Sequence, residues 1–282
     1  MGVIRALLDS RWLWLLLACG LLWTGGRWTV RSLAKDPRFL AHPDAIAAGG
    51  PAWGGEAVIQ PTLDRLRALG PLNLFDPQFE PRIREALGEV AGIARIGRIR
   101  RDWPRRYAVD VRFHRPVAVV LGGSWRVKRR RYELPVTADA VALPLAPYVQ
   151  AVASVLRIDG VDESPPALGR AWRSEALADG LATVAQLTPH LERLAPLGIA
   201  AVDVTDARAA RGGVLLRGAD GTTVRWGRPR ARVGENSVAK KVGYLVTAAR
   251  HLERVRGFEI DVRYGSLYLR PGKDDEGAAA VE

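Results

Sequence analysis

Phe79, Ile83, Leu87 and Val90 recur every three or four residues, the spacing that lines one face of a helix. A basic segment, Arg95-Ile-Gly-Arg-Ile-Arg-Arg101, follows and leads through Asp102-Trp103-Pro104 into a strict alternation. Tyr107, Val109, Val111 and Phe113 point one way, and Ala108, Asp110, Arg112 and His114 point the other, as in a half-buried strand. Pro104 and Pro116 bracket that strand. Upstream, Thr62 is placed to cap a helix with Leu63, Leu66 and Leu69 as its apolar stripe and Gly70-Pro71 as its stop. Asn73 or Asp76 starts the helix that carries Phe79, with Pro77 or Pro81 near its first turn. The order helix, helix, strand, strand defines a small unit over residues 61–120, and Arg38 to Ala41 is the one earlier segment suited to add a strand.

Alternation continues through a second unit over residues 117–270. Val117 to Leu121 and Trp125 to Arg129 read as a hairpin around Gly122-Gly123, and Leu134 to Leu143 as two short strands around Ala138-Asp139. Val155 to Gly160 is a further strand. Leu177, Leu181, Val184, Leu187, Leu191 and Leu194 share a helical face, with a kink or break expected at Thr188-Pro189. Strands over Ile199–Val204 and Gly213–Arg217 come next, and Asp220-Gly221 turns the chain into Thr222–Trp226. Ser237 caps a helix running to Arg254, with Val238, Val242, Leu245, Ala249 and Leu252 on its buried side. Phe258–Tyr264 and Leu267–Arg270 close the unit as a strand pair. Together the two units predict an α+β protein whose larger part is a mixed β-sheet with late helices.

Residues 1–60 follow other rules. Residues 1–11 form a short basic tail, and the run from Trp12 to Gly26 carries no charge over 15 residues. At 1.5 Å per residue it reaches roughly 22 Å, short of a hydrocarbon core of about 30 Å. Snorkelling by Arg11 and Arg27, with tryptophans at both ends, extends it, so residues 12–28 are expected to be a transmembrane helix. A cleaved signal peptide is the competing reading, and no small-x-small cleavage site follows the run. Arg5 and Arg11 precede the run while Arg27, Arg31, Lys35 and Arg38 follow it, so charge counting alone does not place the bulk of the chain outside. A Gly- and Pro-punctuated connector is expected over residues 29–60, and a disordered acidic tail over 271–282.

The net charge of +12 is concentrated. From Arg82 to Arg131 there are 15 basic and four acidic side chains, an excess of 11. Such a patch attracts anionic lipid or an acidic partner, or is an ordinary solvated strand face. No nucleic-acid-reading motif accompanies it. The single Cys19 excludes a disulfide within the chain. His42, His114, His190 and His251 stand apart, and no nucleophile elbow, P-loop or dinucleotide fingerprint occurs. The expectation is a non-enzyme with no catalytic residue, cofactor or metal.

Three segments carry a family resemblance. Val90 to Pro104, with its Arg101-Asp-Trp103-Pro104 turn, is similar to the helix end, strand and turn of the FtsQ/DivIB bacterial cell-division proteins. Tyr107 to Ala118, containing Arg115-Pro116, is similar to that family's next strand, with His114 where the family often has Glu. Asp220 to Gly227, the Lys240-Lys241 helix and Ile260 to Tyr264 resemble its C-terminal part. The resemblance spans most of residues 10–270. It implies one transmembrane helix, a POTRA domain of βααββ order and a β domain. It also implies an inner-membrane protein with a cytoplasmic N-terminus, its bulk outside, and binding to small coiled-coil division proteins of the FtsB/FtsL type. The function it implies is recruitment and regulation of septal peptidoglycan synthesis. An unpaired final strand can accept a partner strand, which singles out Arg263, Tyr264, Gly265, Ser266, Leu267, Tyr268 and Leu269 as the partner-binding segment. Core packing of both tyrosines is the plainer alternative. Rival functions are polypeptide handling by a POTRA-bearing envelope protein and anionic-lipid binding through the Arg82–Arg131 patch.

Overall fold

The computed structural model describes residues 11–41, 46–47, 51–102, 105–122, 132–207, 212–229, 233–251 and 257–271. The chain forms two compact units, Met1–Pro51 with Val58–Phe113, and Ala52–Ala57 with His114–Glu282.

The first unit opens with α1 (Arg11–Leu33), whose Trp14, Leu16, Leu22, Trp23 and Trp28 are all exposed. This helix runs past the expected end at residue 28 and includes Arg27 and Arg31. No helix among the described residues is long and apolar enough to cross a membrane. β1 (Leu40–Ala41), β2 (Ile46–Ala47), α2 (Gly55–Ala68), β3 (Leu72–Asn73), α3 (Phe79–Gly88), β4 (Ile93–Asp102) and β5 (Arg106–Phe113) follow. β1 pairs antiparallel with β3, while β2, β5 and β4 lie in that order in a three-stranded sheet, β2 parallel and β4 antiparallel to β5. The strand expected from Arg38–Ala41 therefore exists, but it pairs outside the three-stranded sheet, whose first strand is Ile46–Ala47.

The connector expected over residues 29–60 holds the end of α1, two short strands and the start of α2. Because α2 begins at Gly55, Thr62 lies inside it and is buried with Val58 and Leu66, instead of capping its start. Pro61 costs one helical hydrogen bond, and the buried face on either side of it carries the helix through. Phe79, Ile83 and Leu87 of α3 meet Leu66, Leu72, Leu74, Tyr107 and Val109 in one core, as their spacing requires. Ile93, Ile96 and Ile99 pack on it too, although they are three residues apart on a strand. Bulges between Ile93 and Arg95 and between Ile96 and Ile99 make that possible, each skipping the residue that would break the alternation. Gly97 sits in the second bulge, where a Cβ would lie 3.0 Å from the Asp110 carbonyl oxygen.

The second unit is an eight-stranded mixed sheet. Its elements are β6 (Ala118–Gly122), β7 (Tyr132–Val136), β8 (Leu156–Val161), α4 (Glu175–Leu187), β9 (Ile199–Asp203), β10 (Val214–Gly218), β11 (Thr223–Gly227), α5 (Val238–Ala249), β12 (Phe258–Asp261) and β13 (Tyr268–Pro271). The strand order is β13-β12-β11-β10-β9-β8-β6-β7. β6, β8 and β9 run parallel to one another, as do β11 and β12; the other neighbours are antiparallel. The antiparallel partner of β6 is Tyr132–Val136, not Trp125–Arg129, which falls outside the described residues. The helix expected to carry Leu177 to Leu194 is capped by Ser174 and breaks at Thr188-Pro189, where a single 3-10 turn intervenes. His114 lies beyond the end of β5, not on its polar face.

One residue from each strand lines a continuous apolar row: Leu134, Val120, Ile158, Val202, Leu216, Val224, Ile260 and Leu269, paired in that order. Leu177, Leu181, Val184 and Leu187 of α4 and Val242, Leu245 and Ala248 of α5 belong to the same core. The neighbouring positions, which point to the other face, include Arg157, Asp159, Asp203, Arg217, Arg225, Glu259, Asp261 and Arg270. Asp203 accepts from Arg217 Nε at 2.9 Å and from the Thr205 amide at 2.9 Å. Asp159 lies opposite it, and its Oδ1 is buried without a hydrogen-bond partner among the described residues.

Burial pushes the Asp159 carboxyl up; Arg157 opposes the shift and Asp203 adds to it. A raised folded value means that the fold loses stability as pH climbs past the ordinary value of 3.8. Asp159→Asn is therefore expected to stabilise the protein at pH 7 by roughly 1 kcal/mol. The gain should fade in thermal melts below about pH 4, where the wild-type carboxyl is protonated. Equal melting temperatures for the two proteins at pH 7 would contradict the assignment.

Candidate functional site

The end of the sheet is built by two connections. α5 carries the chain from β11 back to the same end of the sheet, so β12 pairs parallel to β11, with Thr223, Val224 and Arg225 opposite Glu259, Ile260 and Asp261. The segment 262–267 then reverses the chain, and β13 pairs antiparallel with β12, Asp261 opposite Tyr268 and Glu259 opposite Arg270. β13 ends the strand order, so among the described residues one of its sides carries backbone groups with no neighbouring strand.

The reversing segment is held from beneath. Asn236 donates its amide N–H to the Arg263 carbonyl at 2.7 Å and its Nδ2 to the Val262 carbonyl at 3.0 Å. The Tyr244 hydroxyl on α5 donates to the Gly265 carbonyl. Gly265 takes a φ of +51°, the left-handed conformation that such a reversal needs and glycine adopts freely. Asn236 is in turn placed by its neighbour Glu235, which pairs with Lys241 at 3.3 Å. Both of these side chains are almost wholly buried, and the Lys241 ammonium lies 5.4 Å from the centre of the buried Trp226 ring. Burial pushes the ammonium down, and Glu235 pulls it back up.

On the surface above, Arg263 donates to both oxygens of Asp261, at 3.0 Å from Nε and 2.7 Å from Nη2. Burial raises the Asp261 carboxyl, but the Arg263 hydrogen bonds outweigh it and hold the group below the usual carboxylate range. The same guanidinium stands 5.4 Å from the Tyr264 ring centre. Arg225 pairs with Glu259 on the next strand. Arg225, Glu259, Asp261, Arg263, Tyr264, Tyr268 and Arg270 line an open recess of about 210 Å³.

Within the predicted segment, Tyr264, Tyr268 and Leu269 are 46%, 58% and 44% exposed, so neither tyrosine is a core residue. Gly265 and Ser266 are exposed, Arg263 is half-buried, and Leu267 packs on the edge of the core. The residues of the other motif are not gathered at this site. Arg101 is exposed on β4 in the first unit, while Arg115 is exposed and Pro116 buried in the second. Trp103 and Pro104 lie outside the described residues. Sequence reading missed Arg225, Glu259 and Arg270 as lining residues, and Glu235, Asn236 and Tyr244 as supports. The alternation of Glu259 and Asp261 with Phe258 and Ile260 marks a polar strand face; only the parallel pairing with β11 brings Arg225 to it. Among the described residues, no group of three His, Cys, Asp or Glu side chains is placed to hold a metal ion.

Lys241→Met leaves Glu235 buried and unpaired, and is expected to cost about 3–5 kcal/mol in denaturant unfolding. Lys241→Met with Glu235→Leu removes both charges and should recover most of that loss. A double variant as unstable as the single would show that the pair is not what the region depends on. A scan against protein-family models finds no match for this chain, and a search of curated proteins finds none either.

Proposed function

We propose that the chain is a non-catalytic, membrane-anchored scaffold of the bacterial division machinery, of the FtsQ/DivIB type, that offers β13 to a strand of a small coiled-coil division protein of the FtsB/FtsL type. The observation that carries this reading is the strand order. β13 is the last strand of an eight-stranded sheet, with Tyr264 and Tyr268 exposed beside it. Each backbone hydrogen bond to an added strand contributes about 1 kcal/mol net, so a short pairing needs side-chain anchors. Two exposed tyrosines over a preformed recess supply them, and aromatic residues dominate binding hot spots. The three carbonyl groups held by Asn236 and Tyr244 keep the segment ordered before a partner arrives, which lowers the entropic cost of docking.

Two features of the first unit support the same reading. The three-stranded sheet and the long helices follow one another as β2-α2-α3-β4-β5, with the two-residue β1 and β3 paired apart from it and β2 parallel to β5; this supports the βααββ order that the resemblance implies for a POTRA domain. α1 is 23 residues long and exposes apolar side chains over its length, a surface that lipid accommodates and water does not. α1 does not reach the apolarity of an unaided membrane span, but its length of about 35 Å exceeds a hydrocarbon core of about 30 Å, and snorkelling of Arg27 and Arg31 toward the headgroups offsets their charge. In this arrangement the N-terminal tail is cytoplasmic, everything beyond α1 lies outside the inner membrane, and the bound partner links the protein to septal peptidoglycan synthesis.

The test is a pull-down of the coiled-coil partner by full-length protein carrying Tyr264→Ala and Tyr268→Ala. Loss of at least tenfold in affinity is expected, with little change in melting temperature because both rings are exposed. Wild-type affinity in this variant would remove β13 and its flanking turn as the docking site.

A further inference from the structure

The charge excess between Arg82 and Arg131 is uneven once its ion pairs are drawn. Arg82 meets Asp76 at 3.8 Å, Arg100 meets Asp110 at 3.4 Å, and Arg101 meets Glu80 at 3.9 Å. Arg84 donates to the Gly97 carbonyl at 3.2 Å. At the turn of the β4–β5 hairpin, Arg105 and Arg106 are exposed and form no ion pair among the described residues. Arg105 Nε donates to the Arg38 carbonyl at 3.3 Å, and Arg38 stands five residues beyond the end of α1. The same junction is fastened to β3, because Asn73 Nδ2 donates to the carbonyls of Leu33 at 3.1 Å and Asp36 at 3.0 Å. The hairpin turn is thereby tied to the C-terminal end of α1.

That end carries three more exposed cations, Arg27, Arg31 and Lys35, which also lack ion pairs among the described residues. The acid nearest them in sequence, Asp36, is occupied by Arg38 at 2.7 Å. Five cations without an ion pair among the described residues thus lie on the segments joined at one end of a helix that is apolar along its preceding length, and the acid facing them is Asp102, opposite Arg106 across the β4–β5 hairpin. From Arg27 to Leu33 the helix rises about 9 Å, comparable with a headgroup layer of roughly 5–8 Å. Like charges in excess of their counter-charges repel, so the arrangement calls for an anion from outside the chain.

We propose that Arg27, Arg31, Lys35, Arg105 and Arg106 form a juxtamembrane site for the phosphate-bearing headgroups of anionic phospholipids. The site seats the first unit on the bilayer surface. This rests on α1 being the membrane anchor. It also accounts for three of the four cations that follow the apolar run where only two precede it: Arg27, Arg31 and Lys35 are lipid ligands and not orientation signals, while Arg38 pairs with Asp36. The lipid source follows from position, since the cations surround the point where an apolar helix must leave the hydrocarbon, the depth at which lipid phosphates lie.

Full-length protein is reconstituted into phosphatidylcholine vesicles and into vesicles of phosphatidylcholine with phosphatidylglycerol at about 7:3. Flotation and resistance to alkaline extraction from the neutral vesicles read the anchor alone. Immobilisation of spin-labelled phosphatidylglycerol relative to spin-labelled phosphatidylcholine then reads the headgroup site. Wild type is expected to prefer phosphatidylglycerol at least fivefold at low salt. The preference should fall roughly fivefold or more in Arg105→Gln/Arg106→Gln, each cation near an anionic surface contributing about that factor. Arg105→Lys/Arg106→Lys keeps the charge while altering the bond to the Arg38 carbonyl, and should retain the preference. Equal immobilisation of the two lipids by wild type, an undiminished preference in the glutamine variant, or a lost preference in the lysine variant would each overturn the headgroup site while leaving the anchor standing. Failure to float with neutral vesicles would overturn the anchor, and the site with it.

Discussion

The second unit depends on one register. Leu134, Val120, Ile158, Val202, Leu216, Val224, Ile260 and Leu269 stand side by side across eight strands, and α4 and α5 pack into the core that all of them but the exposed Leu269 line. Because side chains alternate from face to face, a slip of one residue in any strand would send its apolar positions to the charged face and its Arg or Asp residues into the core. Burying an unpaired charge there would cost several kcal/mol, far more than a strand pairing returns. The same register puts Asp261 and Tyr268, and Glu259 and Arg270, together on the open face. The recess at the end of the sheet is a by-product of core packing on the opposite side.

At that end, the buried Lys241–Glu235 pair takes over from hydrophobic packing. Two charges in a nearly dry site are costly separately, and their mutual attraction offsets the cost only while α5 and the loop before it keep their positions. Asn236, next to Glu235, then captures the carbonyl groups of Val262 and Arg263, and Tyr244 captures that of Gly265. The route from the helix to the surface tyrosines is short and polar. It gives an exposed turn, which would otherwise be mobile, the order of the sheet beneath it.

The first unit solves a different problem, that of joining an apolar helix to a small core. Asn73 binds the carbonyl groups of Leu33 and Asp36, and Arg105 that of Arg38, so the chain leaving the helix is fastened to β3 and to the hairpin turn. The bond from Arg105 to the Arg38 carbonyl brings the hairpin turn to the segment that leaves the helix. Of the arginines in this stretch, Arg82, Arg100 and Arg101 are paired with Asp76, Asp110 and Glu80, while Arg95, Arg98, Arg112 and Arg115 as well as Arg105 and Arg106 are exposed without an ion pair among the described residues.

Several elements were legible because their causes are local. The Phe79, Ile83 and Leu87 spacing, the Tyr107 and Val109 alternation, the Asp220-Gly221 turn and the Ser237 cap each lie within a few residues of what they specify. Thr62 was misread as a cap because the buried partners of Val58 and Leu66, which extend the helix back to Gly55, lie on other elements. The isoleucines of β4 keep a helix-like spacing of three, which only bulges against β5 turn into one strand face. Lys241 reads as a surface lysine, and burial beside Trp226 is decided by Glu235 reaching it from outside the helix. By itself the sequence determined which segments become helices and strands, and which of their faces are apolar, since these follow from backbone periodicity and side-chain polarity. Only the tertiary structure decided the parallel pairing of β11 with β12, the edge position of β13 and the exposure of Tyr264 and Tyr268. Those depend on which strands meet across long loops, and that is settled by the packing of the whole core.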